Sequence, residues 1–174
     1  MPSEPTTTME LPDAQRRPVV AVQLSCESYA ESWQHCQQVA DFVARVAASD
    51  RFDAERHTTL FSNFINELLE LVFRMHAPGR AVVLQVFKVV DELLLELTVP
   101  VDGETEAAYR ELFAGLEAGD HREFLRTHIH KVSGKVPSTE TSLYELAGIF
   151  EMKLNLRAEE AGRSMLLSMP ISFE

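Results

Sequence analysis

Basic residues are in short supply in this chain, and glycine, cysteine and long apolar runs are scarcer still. Sixteen Lys and Arg stand against 27 Asp and Glu, a formal net charge of −11. No basic patch is present to neutralise phosphates, which excludes nucleic acid as a partner class and disfavours an anionic membrane surface on the same electrostatic ground. Two cysteines, Cys26 and Cys36, cannot supply a disulfide framework of the secreted kind, and are expected as two partly buried thiols. No apolar run approaches the roughly 20 residues of a membrane-spanning helix. The first seventeen residues, rich in proline and threonine, lack the apolar stretch of a signal peptide. The expectation is a cytoplasmic protein. No Gly-x-Ser-x-Gly elbow occurs, so serine-triad chemistry has no support.

What is present is enough apolar material, 45% of 174 residues, to bury the core of one domain. Met1 to Arg17 reads as a disordered lead-in, and residues 18–174 as a single domain. Val19 to Leu24 is a short β-type run. Ser28 is placed as a helix N-cap, with Glu31 completing a capping-box pattern. The helix that follows carries Trp33, Cys36, Val39, Ala40, Val43, Val46 and Ala47 on one stripe, the spacing of an amphipathic helix. Asp53 is expected to cap a longer helix reaching about Met75. Leu60, Phe61, Phe64, Ile65, Leu68, Leu69, Val72 and Phe73 cover well over half of its circumference. A helix this apolar is buried on more than one side or meets a partner.

Pro78-Gly79 ends that helix, and Ala81 to Val89 followed by Leu93 to Val99 reads as an antiparallel hairpin. In its second strand Leu93, Leu95, Leu97 and Val99 share one face while Leu94, Glu96 and Thr98 share the other, so one buried face is expected. Asp102 to Thr105 reads as a loop, then helices over 106–118 and 122–130, a connection through Gly134 and Pro137, and a helix capped by Ser138 or Thr139 that runs through Phe150. Met152 to Arg157 and Met165 to Phe173 close the chain as a second hairpin. Helices set among hairpins imply an α+β two-layer sandwich, an antiparallel or mixed sheet covered on one face by helices.

The run Phe64-Ile65-Asn66-Glu67-Leu68-Leu69-Glu70-Leu71 is the most distinctive, since polar residues within an apolar helix need a reason. The order of elements around it, together with Asn66-Glu67-Leu68-Leu69-Glu70, resembles the GHKL ATPase fold. That superfamily includes histidine-kinase ATP-binding domains and anti-sigma-factor serine kinases, and the likeness is to small bacterial regulators of two-component and partner-switching systems. In active members the long helix carries an acid and, four positions later, an Asn that binds Mg²⁺. Glu67 matches the acid, but Leu71 stands four later, and a leucine offers no oxygen to a hard cation. Shifting the register does not repair it, because Asn66 is followed at that spacing by Glu70 and Asn63 by Glu67. The family's glycine-hinged adenine loop has only Asp102-Gly103 as a counterpart, without the second glycine, and Gly134 stands alone where a glycine-rich lid belongs.

The resemblance therefore implies the fold without the reaction. Asn66, Glu67, Glu70, Leu71, Asp102 and Gly103 are expected to mark a vestigial nucleotide pocket, with no catalytic residue, no metal and no cofactor, and with ATP not held in the usual way. The implied function is a non-catalytic regulator or scaffold that binds a protein partner, a second copy of itself, or both. Trp33, Phe42, Phe61, Phe64 and Phe73 are the candidate interface anchors, aromatic residues being those that interfaces favour; part of this set must be core. Two alternatives stay open. One is a divergent serine kinase using Glu67 as base and Asp102 for adenine, and the other a plain dimerisation module. His121, His128 and His130, near Asp120 and Glu123, read as histidines on a solvated helix, because nothing completes a metal shell around them.

Overall fold

The computed structural model describes residues 16–27, 34–49, 53–75, 80–90, 92–118, 139–150, 152–159 and 163–172, with the side chains of 139–141 left aside. Strand β1 spans Arg16–Ser25, helix α1 Gln34–Ala48, helix α2 Ala54–Met75, β2 Ala81–Val89 and β3 Glu92–Pro100. Helix α3 spans Gly103–Glu117, α4 Thr139–Ile149, β4 Asn155–Glu159 and β5 Ser164–Ile171. The strands form one five-stranded sheet in the order β1-β2-β3-β5-β4, and every pairing is antiparallel. The architecture is the expected α+β two-layer sandwich.

The register explains which strand residues form the core. Leu84, Val86 and Val82 on β2 stand opposite Val22, Val20 and Leu24 on β1. Leu93, Leu95, Leu97 and Val99 on β3 stand opposite Ile171, Met169, Leu167 and Met165 on β5. Side chains alternate across a strand, so these residues share the inner face, and a single apolar cluster runs from it into the four helices.

α1 lays a stripe of small residues, Ala40, Ala44, Ala47 and Ala48, against α2. Small side chains let two helices approach closely, and burying α1's apolar stripe is what holds so short a helix in place. α2 packs on α1 and on α4. That two-sided packing is why nine of its residues are buried, as its apolar circumference foretells. Phe64 of α2 meets Phe150 edge-to-face at 6.1 Å, and the Tyr144 hydroxyl donates to the Leu112 carbonyl at 2.6 Å, tying α4 to α3.

Four differences from the sequence reading have physical causes. β1 begins at Arg16, inside the segment read as disordered, because Arg16 reaches across the sheet to Glu96 at 2.8 Å. β3 is buried on both faces, not one: Leu94 and Glu96 are buried as well. β3 is the central strand, so neighbours on either side screen its outer side chains. Val89, Leu94 and Leu166 are likewise buried, outside the main core cluster. α3 starts at Gly103 rather than Glu106, since Asp102 caps it. The last hairpin begins at Asn155 rather than Met152, because the Met152 amide bonds the Ala147 carbonyl and the Leu154 amide bonds the Leu116 carbonyl. Those two groups are committed to helix ends before the ladder starts. Ser28 and Glu31, the 122–130 helix and the Gly134–Pro137 connection lie outside the described residues.

Among the described residues no helix is long and apolar enough to cross a membrane. Cys26 and Cys36 are both free and buried. Desolvation pushes the Cys36 thiol up to about 12, aided by the nearby Glu70 charge. A thiol so raised is protonated at neutral pH and poorly nucleophilic.

Candidate functional site

α2 carries a stripe of three polar residues at four-residue intervals, Ser62, Asn66 and Glu70. That spacing stacks them along one face, one turn apart. The stripe divides into two clusters of different quality.

The upper cluster joins α1 to α2. Buried Ser62 donates its hydroxyl proton to Asp41 Oδ1, while Gln37 Nε2 donates to Asp41 Oδ1 at 2.8 Å and to Ser62 Oγ at 3.1 Å. The Ser62 bond, then the Gln37 bond, hold the Asp41 carboxyl below the usual range, as donors aimed at a carboxylate do. Every polar atom of this trio that the helices enclose has a partner.

The lower cluster is less complete. Asn66 Nδ2 donates to Glu70 Oε1 at 2.9 Å, and Arg74 donates to Glu70 Oε2 at 3.3 Å. The remaining Asn66 atom, Oδ1, is buried with no hydrogen-bond partner among the described residues. Turning the amide over would set oxygen against the Glu70 carboxylate, so the orientation is fixed. Beside it Glu67 is half-buried, and burial first, with the Glu70 charge second, pushes its carboxyl above the ordinary value. An incompletely satisfied amide next to a carboxyl of raised pKa is the combination that functional sites tolerate and stable cores avoid.

Leu71, which stands where the resemblance would place a metal-binding amide, is 5% exposed and belongs to the apolar core. Asp102 and Gly103 occupy a helix cap, not an adenine loop. The Asp102 carboxylate accepts from the Thr105 amide at 2.9 Å and from the Thr105 hydroxyl at 2.8 Å. The backbone bond from Thr105 leads in holding its carboxyl low, as expected of an N-cap facing a helix's free amides. Gly103 opens α3, and a Cβ there would meet nothing within 4 Å, so no close backbone approach requires glycine. Asn66, Glu67 and Glu70 are thus brought together, while Leu71, Asp102 and Gly103 serve core and cap.

The aromatic set divides sharply. Phe61, Phe64 and Phe73 are buried in this chain's own core, a correction to their standing as interface anchors. α4 and α1 on α2's flanks already take the surface they offer. Phe42 is 55% exposed on α1, and Trp33 lies outside the described residues. The Gln37-Asp41-Ser62 trio was not singled out from the sequence, although a serine four residues ahead of Asn66 in an apolar helix was a legible sign. Among the described residues no three His, Cys, Asp or Glu are grouped to hold a metal. His121, His128 and His130 lie outside them.

No family model and no curated protein matches this sequence. Its structure is similar to a chain in the crystal structure of the SiaB-SiaC complex from Pseudomonas aeruginosa. The TM-score is 0.57 at 9% sequence identity, over 91% of this chain and 92% of that one. The fold is shared.

Proposed function

We propose that this chain is a non-catalytic regulatory protein of bacterial signalling that acts by binding another protein, on a degenerate GHKL-type sandwich. The observation that carries the reading is the state of the nucleotide-site counterparts. Leu71 is core, Asp102 is engaged as a helix cap, and Asn66 is tied to Glu70. A Mg²⁺-nucleotide site needs free oxygen ligands aimed at the ion; Leu71 offers none, and the Asp102 carboxylate is committed to Thr105. The shared fold with a chain of a two-protein complex supports a protein partner.

A second reading, a divergent serine kinase, has one observation in its favour. Glu67 is half-buried with a raised pKa, as a general base near neutral pH requires. Thermal unfolding with Mg²⁺-ATP separates the two. A ligand at a hundred times its dissociation constant stabilises by about 2.7 kcal/mol, roughly 5–10 °C for a chain of this size. The pseudo-enzyme reading expects no shift. A shift of several degrees that disappears in Glu67→Ala would overturn the pseudo-enzyme reading.

A further inference from the structure

We infer that the edge of β1 that no other described strand pairs is a self-association surface, where two copies of this chain pair antiparallel and continue the sheet across a twofold axis. The inference is independent of whether the α2 site binds a nucleotide.

Among the described residues β1 pairs with β2 alone, so its other edge offers a row of backbone donors and acceptors, a template for another strand. The two halves of this edge differ. The first holds Arg16, Arg17 and Pro18, and its register breaks between Pro18 and Val20. Charge, a missing amide and a bulge are the usual guards of an edge strand. From Val20 to Ser25 the ladder with β2 is regular, with no charge, proline or bulge. Pairing is blocked along one half and open along the other.

Burial points to the same stretch. Val20 and Val22 stand opposite the buried Val86 and Leu84, yet remain only half-buried, because no other described strand continues the inner face beside them. The helix that packs on β1 is α1, which exposes Phe42. An unfinished apolar row under a helix with an exposed ring is completed by more sheet and more helix.

Charge selects the occupant as a second copy. With −11 per chain, two copies repel over most of their surfaces, and Val20–Ser25 is a stretch that carries no charge to repel. Centred on Val22, an antiparallel pair sets Val20 of one copy opposite Leu24 of the other, keeps both inner faces on the same side, and is self-complementary as a twofold requires. The open stretch is flanked by the exposed Arg17 on one side and the exposed Glu27 on the other, so an antiparallel pair brings opposite charges to both ends of the seam.

Sedimentation equilibrium of the full chain tests this. The wild type is expected to be a dimer. Val22→Glu, which sets two carboxylates face to face at the axis, is expected to raise the dissociation constant on the order of a hundredfold or more with the helical circular dichroism unchanged. Should that variant not fold, hydrogen exchange on the wild type decides. Protection of the Val20–Ser25 amides that face away from β2 must rise with the dimer fraction. A monomer at all concentrations, a dimer indifferent to a folded Val22→Glu, or protection already complete in the monomer would overturn the inference. The last outcome would instead give the edge to residues 1–15 of the same chain.

Discussion

Two polar clusters sit one turn apart on α2, and they have been built to different standards. Around Ser62 each enclosed donor and acceptor is matched, and the cluster fastens α1 to α2. Around Asn66 an acceptor is left orphaned, and Glu67 is held where its charged form is penalised. Buried polar groups cost free energy when unsatisfied, about 1–3 kcal/mol each. The contrast marks Asn66 and Glu67 as the less satisfied stretch of this helix.

The contrast can be broken most strongly at its satisfied end. Ser62→Ala removes a donor from Asp41 and an acceptor from Gln37, and is expected to cost about 1–3 kcal/mol in urea unfolding at neutral pH. The loss has a pH signature. A carboxyl held low in the folded state contributes stability that is present above its unfolded value, about 3.9, and is lost as pH falls through the folded value. The gap between wild type and Ser62→Ala should therefore narrow in acid, and a gap that holds constant through that range would mean that Asp41 is not the group stabilised.

At the other end, Glu67→Gln should raise the melting temperature at neutral pH. A carboxyl held high in the folded state imposes a cost that is full above its folded value and absent below the ordinary value of about 4.3. The gain from Gln should accordingly disappear in acid, the reverse of a stabilising carboxylate. Melting scans from pH 4 to 8 read it directly, and a loss of stability at neutral pH would show that the Glu67 charge is supported in the fold. The smallest effect is expected at Asn66. Asn66→Leu removes the orphaned acceptor together with one bond to Glu70, which keeps Arg74, and should stay within about 1 kcal/mol of wild type. A cost as large as that of Ser62→Ala would erase the difference between the clusters.

How far the sequence foretold these features depended on the range of the signal. The apolar periodicity of α2 was legible to within a residue, and so was the β2–β3 hairpin, because both are written in neighbouring residues. Asp102 was read as part of a loop, although Asp102 and Thr105 are spaced as a cap. The bond from Thr105 to Asp102, rather than apolar spacing, sets where that helix starts. The burial of Glu96 was hidden altogether, since its partner Arg16 is eighty residues away. The division of the aromatic anchors was likewise out of reach: Phe42 and Phe61 both sit at helical positions, and only the neighbours of each helix decide which is core.

The sequence by itself determined the elements, their order and their apolar faces, together with a leucine at position 71 that offers no oxygen to a cation, because these follow from local spacing and side-chain chemistry. The tertiary structure alone decided which polar residues are satisfied. It also decided that Asp102 caps the helix that Gly103 opens, and that, among the described residues, β1 stands at the edge of the sheet. Those outcomes depend on which distant segments meet, and burial and hydrogen bonding between segments far apart in the chain leave no trace in the spacing of either one.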